Sequence, residues 1–293
     1  MEQAAYNLFI PGFAFTAAAS LAYVLRIIWP RVAYRAAATS AGSVTVAAPA
    51  PSPAWLGPLA TLLSWLAVAL LTASLGARWA ATGRPPYANM WEYTLGFGWG
   101  IALFYVLFEW RYRQRTLGAF VMPLAVALFA VSTAFFPSQV RPLIPALQAN
   151  RLLAAHVGTT MLAYAALAIS FSAALMYLAQ GEQRRFSRLP SAEVLEDIGY
   201  KSVLVGFPML AVGIGLGAYW ANSAWGRYWG WDPKETSALV TWLVYAAYLH
   251  ARNLGGWKGQ RSALMLVIGF LAVLFTFFAV NLWVSGLHSY TGV

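Results

Sequence analysis

The chain of 293 residues contains no cysteine, only three histidines, and only 10% charged residues. Without cysteine, no disulfide and no thiolate metal site can form within it. Any thiol chemistry it takes part in must use a partner's thiols. A soluble domain carries about 25% charged residues, so the low charge density points to lipid as the main solvent. A mean hydropathy of +0.62 agrees. Acidic residues are the scarcest charges, 9 against 19 basic ones, which leaves a net charge of +10. In a soluble protein that excess would suggest a nucleic-acid partner. In a membrane protein the placement of the charges matters more than their sum, and no nucleic-acid role is expected. No soluble domain and no solenoid-type repeat is evident.

Eight apolar runs remain, and a bilayer crossing needs roughly 20 helical residues. They are Leu8–Trp29, Leu56–Trp79, Trp91–Phe108, Leu117–Phe136, Leu152–Ala179, Val203–Trp220, Thr236–His250 and Ser262–Val284. The third and seventh are the shortest. Lipid cannot satisfy free backbone groups, so the expected fold is all-α, a single integral membrane domain over residues 1–293. The first run has the length of a span, and its charges (Arg26, Arg31, Arg35) follow it. A retained helix is therefore expected in place of a cleaved signal peptide.

Thirteen basic residues fall in one set of alternate loops, near Arg26–Arg35, Arg111–Arg115, Arg184–Lys201 and Arg252–Arg261. Six fall in the other: Arg78, Arg84, Arg141, Arg151, Arg227 and Lys234. The first set is assigned to the cytoplasm, which puts both termini outside. Residues Ala36–Ala54, rich in Ala, Ser, Thr and Pro, read as a flexible cytoplasmic linker. A short surface helix is expected to start at Ser191.

The densest chemical signal is WGRYWGWDPKE, Trp225–Glu235, within an outer segment of about 220–235. Four aromatic rings on glycine-bearing backbone suit a large, flat, apolar ligand, although aromatic belts also line membrane surfaces. Asp232 is a preferred N-cap, Pro233 suits the first helical position, and Glu235 completes the pattern of a capping box. The tryptophans therefore stand at a rigid helix mouth. Arg227 and Lys234, together with the helix dipole, offer positive charge for carboxylates such as haem propionates.

A histidine within a span is costly and points to function. His156 lies about one turn inside the outer end of the fifth run, and His288 follows the outer end of the eighth. Both are shallow and on the side of the aromatic segment, placed to approach one haem iron from opposite faces. His250 lies 17 residues after Pro233, about 25 Å along a helix. The three histidines thus divide into an outer pair and a single inner one. A lone membrane histidine can also serve only to bond a neighbouring helix. In the loop GRPPYANMWE, Asn89 can cap the third helix with Glu92 at its third position.

WGRYWGWDPKETSALVTWLVYAAYLHAR resembles the tryptophan-rich WWD motif and following helix of the CcsA (ResC) family of cytochrome c biogenesis proteins, in the haem-handling superfamily. HVGTTMLAYA opening with His156, the helix ending in His250, GLHSY with His288, and the loop GRPPYANMWEYT are similar in the same order. The similarity runs from about residue 56 to 292. The resemblance implies a component of a cytochrome c haem lyase (synthase) in the bacterial cytoplasmic membrane, with the WWD segment extracytoplasmic. It implies haem b as cofactor, a CcsB (ResB)-type membrane partner, and an apocytochrome c whose CxxCH cysteines receive haem. It further implies iron ligation by His156 and His288 at an outer site and by His250 at an inner one. Trp225, Trp229, Trp231, Asp232, Arg227 and Lys234 are expected to help hold the haem. The family's fused versions carry the CcsB part in the same chain, and this chain lacks it. Alternatives are a haem exporter or chaperone without lyase activity, or a di-haem electron-transfer membrane subunit. The second fits a two-and-one division of histidines poorly. A solute transporter would need a midplane site that is not evident.

Overall fold

A computed structural model describes residues 2–29, 33–39, 42–48, 52–140, 142–143, 147–148, 151–181 and 185–288. Arg31, Arg141 and Arg184, among the charges used for orientation, lie outside the described residues, as do positions 40, 41 and 49–51 of the linker segment. Each apolar run corresponds to one long helix: α1 (Glu2–Ile28), α2 (Leu56–Thr82), α3 (Met90–Tyr112), α4 (Gly118–Phe135), α5 (Arg151–Gln180), α6 (Ala192–Trp225), α7 (Pro233–Asn253) and α8 (Gly259–Leu274). After α8 the chain passes through a π-turn, Phe275–Ala279, into the short α9, Val280–Leu282. Between α1 and α2 the backbone pairs as a two-stranded antiparallel ribbon, β1 (Ala33–Thr39) with β2 (Gly42–Ala48), which occupies much of the expected linker.

Among the described residues, six helical stretches are long and apolar enough to cross a membrane: α1, α2, α4 with its preceding 3-10 turn, α5, α6, and Gly259–Leu282. The helices α3 and α7, from the two shortest runs, are not among them. Charge explains α3, which carries Glu92 near its start and Glu109 and Arg111 near its end. Both carboxylates are buried and serve as ties between helices. Glu92 accepts Arg78 Nε at 2.8 Å and Arg84 Nη1 at 3.1 Å. Glu109 accepts the hydroxyls of Tyr23 on α1 and Thr61 on α2. It also accepts Tyr105 at 2.7 Å and Arg115 Nε at 3.3 Å. Removing one partner from such a cluster would leave a buried charge uncompensated.

The surface helix expected at Ser191 is not separate. Ser191 is the N-cap, but the helix continues without a break to Trp225 as α6. Gly199 is tolerated inside a long helix, and Pro208 does not end it; membrane helices accept both where neighbours cover the backbone.

The helix α5 is the centre of the molecule, with 72% of its apolar window buried against 28% for α6. Lipid does not drive apolar helices together, so close packing depends on small residues at the interface. Along α6, Gly199, Gly206 and Gly213 recur every seven residues and so share one face. An added Cβ at Gly206 would stand 2.8 Å from Leu167 and 3.1 Å from the Ala163 carbonyl. At Gly213 it would stand 2.5 Å from Thr160 Oγ1. These glycines set the separation of α5 and α6. Gly206→Leu, which forces that interface apart, should destabilise the protein by about 1–3 kcal/mol. Thermal unfolding in detergent measures this, and an unchanged midpoint would show that the two helices do not need such close approach.

Candidate functional site

The site forms where α5, α6 and α7 meet the residues following α9. It starts with the helix cap. The Asp232 carboxylate accepts Lys234 N–H at 2.9 Å, and Glu235 Oε2 accepts Gly230 N–H at 2.8 Å and Asp232 N–H at 3.1 Å. The expected capping box is therefore present. It folds the tryptophan segment back over the start of α7. Trp231 turns this corner at φ +55°, a left-handed conformation uncommon for a bulky residue.

The cap also receives the last part of the chain. Asp232 Oδ2 accepts Leu287 N–H at 2.6 Å, and Asp232 Oδ1 lies 2.7 Å from His288 Nδ1. A Cβ on Gly286 would stand 2.5 Å from Asp232 Oδ2, so only glycine lets the backbone approach this closely. Burial alone would raise the Asp232 pKa. The hydrogen bonds from His288, Lys234 and Leu287 outweigh it and hold the carboxyl at about 2. Burial pushes the His288 pKa down, against the pull of Asp232. The imidazole is thus neutral at pH 7. Because a carboxylate only accepts, Nδ1 carries the proton and Nε2 keeps its lone pair.

His156 reaches the same state by a different route. Its Nδ1 lies 2.7 Å from the Gly213 carbonyl, which again can only accept. A Cβ on Gly217 would stand 2.5 Å from the His156 ring, so the glycine is what gives the ring room. Each histidine has its Nδ1–H fixed by a second residue, the arrangement that orients imidazoles acting as metal ligands through the other nitrogen.

Both rings line two adjoining cavities of about 550 Å³ and 520 Å³. The walls they share are His156, Thr160, Tyr164, Lys234, Thr276 and His288. Lys234 donates to Asn281 Oδ1 at 2.6 Å and lies 5.7 Å from the Tyr93 ring centroid. The π-turn after α8 carries Thr276 and is followed directly by α9 with Asn281, so the irregular turn aims both residues at the chamber.

Of the residues expected at the site, His156, His288, Lys234 and Trp229 line the chamber. Trp225 meets the His288 ring nearly edge-on at 4.8 Å, and Asp232 holds that ring. Arg227 is exposed and packs over Gly230. Trp231 is 68% exposed, edge-on to Trp229 at 5.7 Å. These two stand at the rim. His250 is exposed near the opposite end of α7 and joins no part of this chamber. Asn89 caps α3 as expected, accepting Glu92 N–H at 2.8 Å.

Sequence reasoning missed Trp220, Tyr93, Asn281 and Gly217. Trp220 is buried, its ring within 6° of parallel to His156 at 6.4 Å and 6.1 Å from His288. A signal existed: Trp220 falls seven residues after Gly213, on the glycine face that meets α5. Tyr93 and Asn281 carried none, since their approach depends on how separate helices pack.

The chain is thus a many-helix membrane protein whose paired histidines line an aromatic chamber. The chain belongs to the cytochrome c assembly protein family, whose model matches residues 87–288. It is 36% identical over 261 residues to cytochrome c biogenesis protein CcsA of Guillardia theta, covering 80% of this chain and 85% of that one. It is 35% identical over 289 residues to CcsA of Microcystis aeruginosa, covering 80% and 87%. The fold is similar to that of a solved structure titled cytochrome c heme lyase CcmF, with a TM-score of 0.68 at 18% identity. That match covers 94% of this chain but 46% of the longer CcmF chain.

The low Asp232 pKa sets a pH test. A carboxyl held at about 2, against about 3.9 when unperturbed, contributes stability that is fully present above pH ~4 and lost as pH falls toward 2. The difference in thermal stability between wild type and Asp232→Asn should be constant above pH ~4 and shrink below it. A difference that did not change across that window would mean the carboxylate charge is not what Asp232 supplies.

Proposed function

We propose that the chain is the haem-handling subunit of a cytochrome c synthase and that the chamber is its outer haem site. One observation carries this reading: two neutral imidazoles, each with Nδ1 already committed, line one chamber. Such a pair suits a metal that brings its own in-plane ligands, with Nε2 of His156 and of His288 as the axial donors. The chamber's apolar and aromatic walls suit the macrocycle of haem b. Trp225 and Trp229 border it, and Lys234 supplies a cation for a propionate. Arg227 and Trp231, at the rim, are placed to meet an incoming chain.

In this reading haem b is the substrate. Its vinyl groups supply the reactive carbons, and each takes one cysteine thiol of an apocytochrome CxxCH motif in thioether formation. The protein's contribution is positioning and exclusion of water. Asp232 fixes the ring and tautomer of His288; the Gly213 carbonyl does so for His156. The lack of any cysteine keeps the synthase from becoming its own acceptor. The basic-residue asymmetry supports an orientation with both termini and the chamber extracytoplasmic, and the family resemblance supports a bacterial cytoplasmic membrane. Replacing both His156 and His288 by Ala should abolish a low-spin bis-histidine spectrum at the outer site of purified protein. A double variant that kept the full signal would show the ligand assignment to be wrong.

His250 belongs to a second, inner site in this proposal. It is the polar member of an exposed α7 stripe with Val240, Leu243 and Ala247, spaced three and four residues apart. A histidine on an apolar helix face needs a partner, and a CcsB-type protein that supplies another ligand fits the need. The chain alone should insert and fold yet fail to mature a CxxCH cytochrome. Co-expression with a CcsB-type protein should restore maturation, read as haem that stays with the cytochrome after denaturation, and His250→Ala should reduce it. Efficient attachment by this chain alone, in cells lacking any other maturation system, would argue for a self-sufficient lyase.

A further inference from the structure

Beside the histidine chamber lies a second buried cluster, in which one carboxylate serves two guanidiniums. Glu92, fully buried, is the one carboxylate shared by two buried guanidiniums, those of Arg78 and Arg84. One arginine would neutralise it. The second is a further buried cation, and such a charge is costly unless something of opposite sign pairs with it. Arg84 Nη1 is engaged, donating to Glu92 at 3.1 Å and to the Pro85 carbonyl at 3.3 Å. Arg84 Nη2 is buried and, among the described residues, has no hydrogen-bond partner. Arg84 as a whole is 9% exposed.

Arg84 lines a small cleft, partly open to solvent, whose other walls include Tyr87, Leu147, Leu153 and Ala154. Leu153 is also a wall of the 520 Å³ cavity that His156 and His288 line. The Arg84 cleft therefore adjoins the chamber, and two of its wall residues sit within a turn of His156 on α5. Arg227, the arginine first expected to meet a carboxylate, is exposed at the rim instead.

We propose that Arg84 Nη2 forms a carboxylate-binding subsite of the chamber, distinct from the Lys234 cation. The proposal rests on the haem reading for what occupies the chamber. The carboxylate has two possible sources, a propionate of the haem or an acidic side chain beside the CxxCH motif of the client. A planar guanidinium with a free N–H edge suits a carboxylate better than a point charge does. Glu92 and Arg78 position Arg84 and do not touch the ligand.

The test compares haem with its dimethyl ester, which keeps the iron and macrocycle but lacks both carboxylate charges. Binding to the full-length protein is followed by tryptophan fluorescence quenching, which does not depend on iron ligation. Wild type should bind the acid about tenfold or more tightly than the ester. Arg84→Gln should cut that ratio severalfold by weakening only the acid, the remainder being the share of Lys234. Ala154→Leu, which fills the cleft while leaving the Arg78–Glu92–Arg84 cluster whole, should do the same and guards against misfolding of the first variant. If both variants leave the haem ratio intact but remove a preference for a CxxCH peptide with an acidic flank over its amide counterpart, the client is the carboxylate source. If both variants leave both preferences intact, or weaken acid and ester alike, the subsite is overturned. The low-spin spectrum tests the histidines separately, so a failure there leaves the acid-to-ester ratio to decide on Arg84.

Discussion

The Asp232 carboxylate is the point on which the rest of the site depends. It caps α7, accepts the backbone of the chain's last described stretch at Leu287, and fixes the His288 ring. Three donors converge on one anion, which is why its charge persists despite burial. The consequence reaches beyond the cap. His288 lies past the end of the last helix, where no regular backbone positions it. Its place in the chamber comes from Asp232 and from the glycine at 286 that permits the approach. A helix-start motif thus also acts as the anchor for a chamber histidine more than fifty positions further along.

His156 depends on a different constraint, the closeness of α5 and α6. Its ring fits because residue 217 has no side chain, and its Nδ1 is satisfied because the Gly213 carbonyl is near enough to accept. A carbonyl on an intact helix has a weaker hold on a ring proton than a carboxylate has. The two imidazoles are therefore unequal in basicity: His288 is backed by an anion and His156 by a neutral dipole. A haem held between them would be released more readily on the His156 side. Under the proposed reading, that asymmetry would suit a protein that passes its haem on, whereas a permanent electron-transfer site would gain from two equally firm ligands.

Much of this was legible in the sequence, and for identifiable reasons. Apolar runs announce helices because lipid leaves the backbone no alternative, and each of the eight runs has its helix, although among the described residues six stretches are long and apolar enough to cross a membrane. The capping box from Asp232 to Glu235 was readable because its bonds are local. Shallow depth on one side brought His156 and His288 together correctly. The reading failed where packing decides. Arg227 and Lys234 looked equivalent by spacing, yet Lys234 faces the chamber and Arg227 the rim. Tyr93 and Asn281 meet Lys234 only through the way separate helices are brought to the start of α7. The joining of the Ser191 helix to α6 was missed because a charged, mixed segment was taken as the end of a span, while its backbone had no reason to stop being helical.

The polarity of α7 links the two ends of the molecule. Among the long helices it is one of the two too polar to count as a membrane span by composition. Its polar residues lie at its extremities, Lys234 and Glu235 at the start and His250 and Arg252 at the end. A helix that only anchored the protein would gain from losing them. Its start is held by the capping box and by Lys234 on Asn281. Its end is tied by Arg252, 3.7 Å from Glu196 of α6 and stacked on Tyr200 at 4.8 Å. With both ends fixed, α7 is a strut of set length, and the offset between His250 and the outer chamber cannot shorten. Under the proposed reading, haem visiting both levels would have to travel along the protein, because this strut holds His250 apart from the chamber.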